Sequence, residues 1–372
     1  MTTTALTREQ TQIQKASKRF LQREYPSARI RLDYESGTRF EAADWARIVS
    51  LEWPSLCLEE RHGGAGYGVV ERCLLMEEMG RALMPGPNLS SAVIASDLLA
   101  LAGGEGEAAR LLAELGAGKT LATVLAGGDL LSSPDLGGAV VATCEDGAHR
   151  LDGASGIVLD AHAADVLVAI ARIEGAELGI FVVPAHAAGL TRTPVSLIDG
   201  TRGAARVELR DVTAQRIDAG DAAGIARVAL DRARVALAAE MVGGAQACLE
   251  MIVEYARLRE QFGVPIGSFQ AIKHRCANLY VLVEAAREAV QSAAEVADGA
   301  ETEPLVACAA AAKLAASDAF VLAASEAIQL HGGIGFTWDH DAHLYFRRAK
   351  VDAQLLGSRA DELTRLADAL DV

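Results

Sequence analysis

The sequence predicts an α+β multidomain chain: an N-terminal α-helical domain over residues 1–118, a middle antiparallel β domain over 119–218 and a C-terminal four-helix bundle over 219–372. Three changes of texture carry this reading. Apolar residues recur at helical spacing as far as Gly118. Short runs rich in Val, Ile, Thr and Ala, bounded by Gly, Asp and Pro, then take over to about Asp218. Long Ala-rich helical segments fill the rest. With 372 residues, the chain is too long for one small core and suits two or three packed units.

Each element follows from local pattern. In the first region Leu6, Ile13 and Phe20 fall at roughly two-turn spacing, and Glu71 to Leu83 carries a 3.6-period apolar stripe. Pro85, Gly86 and Pro87 should end that helix and open an extended link. Strands are expected at Thr120 to Leu125, Ala139 to Cys144, Val166 to Arg172, Leu178 to Val183 and Ala205 to Leu209. No long helical pattern intervenes, which favours antiparallel pairing over βαβ units. Helices return at Ile225 to Arg259, Gln270 to Ala297, Pro304 to Leu330 and a terminal stretch through Ala367, with small residues that allow close helix packing.

Composition narrows the function classes. Hydrophobic residues make up 51% and charged residues 23%, an ordinary globular balance. A net charge of −15 repels a phosphate backbone, so nucleic acid is not an expected partner. Met1 to Phe20 lacks the apolar core of a secretory signal. Leu305 to Ala316 is too short to span a bilayer and is interrupted by Lys313, so no membrane span and a cytoplasmic location are expected. Cys57, Cys73, Cys144, Cys248, Cys276 and Cys308 show neither a disulfide framework nor zinc-ligand spacing.

Two segments carry chemistry. Tyr255 to Asn278, YARLREQFGVPIGSFQAIKHRCAN, reads as a helix bearing Arg257, Arg259 and Gln261, a break at Gly263 and Pro265, and a second helix capped near Ser268. Arg259 offers a planar fork to phosphate, and the second helix offers backbone amides. Alone, the segment is also compatible with a plain αα-hairpin. Gln329 to Thr337, QLHGGIGFT, ends a long helix with paired glycines, which serve as a C-cap or allow a close ligand approach.

Together these segments make the chain resemble the acyl-CoA dehydrogenase family, which carries R-x-QFG-x-x-I-x-x-FQ and later Q-x-HGG-x-G-x-T in its C-terminal bundle. LEERHGGAGYGVVERCLLMEEMGRAL at Leu58 to Leu83 is similar to the family's N-terminal "EEyGGxGlg...EElgra" segment. The resemblance covers the whole chain and implies the same α-β-α order. In that family the two bundle segments reach across a dimer interface to the ADP part of FAD bound by the neighbour. The matching positions are Arg259, Gln261, Phe262, Phe269, Gln270, Gln329, Gly332 and Gly333, and all are present.

The family's own flavin cradle and its base are not matched. Where the family has T-E-P-x-x-G-S-D, this chain has Thr123 to Leu130, TVLAGGDL, without the Glu, Pro and Ser. Where it has G-x-K-x-[WY]-I-[TS]-N, this chain has Gly153 to Asp160, GASGIVLD, so Ile157 replaces an aromatic and Leu159 a hydroxyl. Removing an acyl α-proton needs a positioned general base. By resemblance its carboxylate belongs at Leu356, or in a few members at Ala233, next to Arg234 as a substrate contact. Glu240 is the fallback base, on the same helix face as Ala233 but two turns, roughly 10 Å, away. Asp352, four residues before Leu356, is expected to face elsewhere. An ion-paired or solvated role is the plainer expectation for both acids.

The resemblance therefore implies a FAD-dependent acyl-CoA dehydrogenase subunit without a catalytic residue of its own, like the base-lacking subunit of actinobacterial heterotetrameric (α2β2) steroid acyl-CoA dehydrogenases. A homologous catalytic subunit would hold the acyl-CoA substrate. An electron-transfer flavoprotein or similar acceptor would take the electrons. Two alternatives stay open: a self-sufficient homo-oligomer using an atypical base such as Glu240, and a non-catalytic scaffold that binds acyl-CoA or protein.

Overall fold

The computed structural model describes residues 6–37, 40–103, 105–126, 136, 140–173, 177–218, 220–299 and 303–372. Six α-helices come first: α1 (Arg8–Glu24), α2 (Ser27–Ser36), α3 (Ala42–Ser50), α4 (Val69–Arg81), α5 (Ser96–Leu101) and α6 (Gly106–Gly116). A capping box formed by Thr7 and Gln10 starts α1. The first turn of α4 is held from far along the chain, because the Asp298 carboxylate accepts from the amides of Val69 at 2.6 Å and Val70 at 3.3 Å. After Pro85-Gly86-Pro87 the chain does not extend as expected. It enters a π-helical turn, Asn88–Ala95, whose Leu89, Val93 and Ile94 are buried in the core.

The middle region is a seven-stranded sheet: β1 (Ala122–Ala126), β2 (Val140–Glu145), β3 (Ala148–Leu159), β4 (Val166–Ile173), β5 (Leu178–Pro184), β6 (Leu190–Pro194) and β7 (Ala204–Arg216). Antiparallel pairing dominates, as expected, but β4 pairs parallel with both β1 and β2. The β2–β3 hairpin, not a single turn, separates β1 from β4, so the chain comes back in the same direction. Because β5 bonds to both β4 and β7, the sheet closes on itself around a second apolar core containing Leu151, Leu167, Phe181 and Val207. The sequence pattern missed β3 and β6. In β3 Asp152, Gly153, Ser155 and Gly156 break the apolar alternation, and the pairing with β7 shifts register there.

The last region is built on α7 (Ala222–Leu258), followed by a minimal hairpin β8 (Glu260–Gln261) and β9 (Val264–Pro265), then α8 (Gln270–Ala297), α9 (Glu303–His331), α10 (Ala342–Asp352) and α11 (Arg359–Ala369). Helix α7 runs through the centre, against α4, α8 and α9. Helices α7 and α9 are long and apolar enough to cross a membrane, yet 78% and 50% of their most apolar windows are buried in the protein. Their apolar surface is spent on the bundle core.

Candidate functional site

The sequence-predicted residues separate into two clusters on α7, about 35 Å apart at 1.5 Å of helix rise per residue. The first lies where α7 and α9 end and α8 begins. The ring of Tyr255 sits 4.3 Å from that of His331, joining the two motif segments. The Ile266 amide donates to the Arg259 carbonyl at 2.8 Å and closes the intervening hairpin. Phe262 and Gly263 both take left-handed φ values, 56° and 79°, as a two-residue type I′ turn requires. This turn pushes Phe262 outward to 94% exposure, in edge-to-face contact with Phe269 at 6.2 Å.

Around the turn, Arg259, Gln261, Gln270, Gln329, Gly332 and Gly333 are all exposed. Among the described residues Arg259 has no carboxylate partner. Ser268 does not cap α8 as expected. Its hydroxyl donates to the Pro265 carbonyl at 2.7 Å, and Phe269 stands at the N-cap without a side-chain cap bond. The first amides of α8 therefore keep their capacity to bind an anion. Gly332 needs its left-handed φ of 63° to end α9, but a Cβ on Gly332 or Gly333 would meet no atom within 4 Å. Ile334, Phe336 and Trp338 add exposed apolar surface beside the glycines. This open end can hold a flat, phosphate-bearing ligand and an apolar partner surface.

The second cluster is closed. Leu356 and Ala233 are both 0% exposed, and Leu356 adopts φ 60° at the head of a turn completed by Gly357. Arg234 was expected to meet substrate and instead serves this turn. Its Nε donates to the Leu356 carbonyl and to Glu362 at 3.0 Å each, its Nη1 to Asp231 at 2.8 Å, and it is 1% exposed. Lys313, read in the sequence only as an interruption, donates to the Gly357 carbonyl. Burial, then the Arg234 charge, pulls the Lys313 ammonium down to about 8 against the opposing effect of Glu362.

Next to the turn lies a buried charge lattice. Arg202 bridges the two weighed acids, with its Nη2 2.9 Å from Glu240 and its Nε 2.9 Å from Asp352. Arg348 pairs with Asp199 and with the same Glu240 oxygen. Asp352 thus faces Glu240 across Arg202, and both acids are ion-paired. Burial, and Glu240 beside it, push the Asp352 carboxyl up to about 7 against the pull of Arg202. Burial also raises Asp199, but Arg348 and Arg202 outweigh it and hold that acid below its ordinary range. Both guanidinium groups bond the same Glu240 oxygen, which gives this acid an ion-paired role in the lattice.

The expected cradle lies between β1 and the end of β3. The Thr123 hydroxyl is buried and donates to the Leu159 carbonyl at 2.5 Å. Leu159 belongs to the main apolar core. Asp160 accepts from Ser90 at 2.6 Å, which ties the strand to the π-helical turn. Burial raises the Asp160 carboxyl, a shift opposed by the Ser90 bond. The second half of TVLAGGDL, residues 127–130, lies outside the described residues. The sequence reading missed Asp160, Asp199, Arg202 and Arg348. The doubled arginine at 347–348 was the one local sign of them.

The family model described as acyl-CoA dehydrogenase, N-terminal domain, matches residues 7–119, and the one described as acyl-CoA dehydrogenase, C-terminal domain, matches residues 223–370. The Mycobacterium tuberculosis protein named acyl-CoA dehydrogenase IpdE2 is 36% identical over 346 residues, covering 91% of this chain and 90% of its own. A variant of the Tcur3481-Tcur3483 steroid ACAD superposes with a TM-score of 0.88 at 28% identity, covering 98% of both chains. The ChsE4-ChsE5 complex from Mycobacterium tuberculosis contains a chain that superposes at 0.87 with 26% identity, covering 99% of this chain and 98% of that one.

Proposed function

This chain belongs to the acyl-CoA dehydrogenase family, and we propose that it is the subunit of a heteromeric enzyme that lends FAD contacts to a homologous partner and lacks a base of its own. Its placement beside the steroid ACAD and the ChsE4-ChsE5 complex supports a two-chain assembly acting on a steroid side-chain CoA. The domain boundaries at 118/119 and 218/219 are part of this reading. So are a cytoplasmic location and an electron-transfer flavoprotein or similar acceptor.

The observation that carries the proposal is the contrast at the two base positions and the open end. Leu356 and Ala233 are apolar and wholly buried, whereas Arg259 is exposed and, among the described residues, has no carboxylate partner. The fit to FAD is accordingly divided. At the open end the residues fit: Arg259 and the first amides of α8 suit a pyrophosphate, and Gln261, Gln329, Gly332, Gly333 and the Phe262 and Phe269 rings suit the rest of an ADP moiety. At the cradle they do not. Leu159 is packed into the core and the Thr123 hydroxyl is already bonded, so neither offers a polar contact to a ring edge.

In the family's reaction a general base takes the α-proton of an acyl thioester, and bound flavin supplies the acceptor for the β-hydride. This chain's part is positional. Its cation and amides hold phosphate oxygens, and its exposed aromatic surface excludes water at the partner's interface. The test is to replace carboxylates one at a time in the assembled complex. Glu240→Gln here should leave turnover within a few-fold, while removing the partner's catalytic Glu should slow it by at least ~10²-fold. The reverse pattern would make this chain the catalytic one.

A further inference from the structure

Helices α4 and α7 touch backbone to backbone at one crossing. A Cβ on Gly243 would lie 1.7 Å from the Glu77 carbonyl oxygen, and one on Gly80 would lie 1.9 Å from that of Glu240. Two helices that meet this closely at a point diverge away from it, and the gap must be filled by side chains from their neighbours. On the side closed by α8 and α1 most of the apolar residues facing the gap are short, among them Val70, Cys73, Ala239, Val242, Val290 and Ala294. They leave a cavity of about 210 Å³. One water needs only ~10–15 Å³ on this kind of measure, and an apolar cavity of ~150 Å³ stays dry and takes up benzene.

The mouth is different in character. Glu77 and Arg287 form an ion pair at 3.1 Å there, with the Glu288 carboxylate and the amides of Gln14 and Gln291 nearby. We propose that this cavity is a binding site for a compact, neutral apolar molecule of one or two fused rings, carrying one hydrogen-bonding group that reaches the Glu77–Arg287 mouth. The volume sets the ring count. The apolar floor sets the neutrality, since it offers no counter-charge for an ionised ligand. Cys73 forms part of that floor. Burial pushes its thiol well above the ordinary range, so it acts as an apolar wall and not as a nucleophile. The site shares no lining residue with the open end of the bundle or with the Leu356 turn.

The experiment is calorimetric titration of indole into the purified chain, alone and in its assembly, beside Ala294→Leu and Val290→Phe, which fill the cavity. Saturable one-site binding by the wild-type chain, weakened at least tenfold in both filled variants, is expected. No saturable binding by the wild-type chain, or equal binding by folded filled variants, would overturn the proposal. Should the larger side chains prevent folding, Val290→Ala provides the decision, because it enlarges the cavity without adding an atom. Its preference should move from indole toward the larger 1-naphthol, and an unchanged preference counts against the site. Neither flavin content nor turnover enters these readouts, so they are independent of the subunit role proposed above.

Discussion

The two ends of α7 are built from similar residue types and put them to opposite uses. At the Leu356 end Arg234 and Lys313 donate to carbonyls and carboxylates of the same chain, in a region closed to solvent. At the Phe262 end Arg259 is left without a partner among the described residues, and aromatic rings stand in water. A chain gains nothing for its own stability from the second arrangement, because an exposed Phe forgoes the ~1.5–3 kcal/mol that burying a large apolar side chain supplies. The difference separates what folds this protein from what it offers to another molecule.

The sharpest way to break the comparison is at the lattice beside the closed end. Arg348→Ala removes one of the two guanidinium groups on Glu240 and leaves the buried Asp199 carboxylate without its paired cation. Chemical denaturation should report a loss of about 3–5 kcal/mol. A loss below ~1 kcal/mol would mean that the lattice contributes little to the fold.

Arg259→Ala addresses the open end and should give the complementary result. The chain's own stability should change by less than ~0.5 kcal/mol, as for other exposed sites. Flavin affinity in the assembled complex should fall by ~10–100-fold, the worth of a charge-assisted contact of about 1.5–3 kcal/mol. Unchanged flavin content would remove Arg259 from the cofactor contacts.

A smaller effect lies in pH. Burial pushes the Asp352 carboxyl up to about 7 in the folded chain, from an ordinary 3.8. Between those values the folded chain keeps a proton that the unfolded chain releases, so this contribution is present at low pH and is lost as pH rises through about 7. Asp352→Asn abolishes it. The stability of the wild-type chain relative to this variant should therefore fall by at least about 1 kcal/mol between roughly pH 5 and 7. A flat difference across that range would contradict the raised carboxyl.

These contrasts also explain what was legible in the sequence. The open end is local. Arg259 to Gln270 lie within one hairpin, and Gln329 to Gly333 within one helix end, so two short motifs carried the resemblance that implies the cluster. Long helices were equally legible, because α7, α8 and α9 carry their periodicity over many turns. The charge lattice was not, since Arg202 and Asp352 meet from positions 150 residues apart. Strand β3 was hidden for another reason: its glycines and polar residues serve bulges against β7, not a regular alternating face. Leu356 and Ala233 were noticed as losses, but the network that fills the space around them has no sequence pattern.

Flavin stoichiometry tests the division between the two ends most directly. The chain should be purified alone and then together with its base-bearing homologue, and the flavin absorbance of each measured per chain. Little or no flavin in the lone chain, and bound flavin in the assembly that is lost on Arg259→Ala in this subunit, is the predicted result. A lone chain that carries one flavin and reduces it with an acyl-CoA would contradict the proposed role.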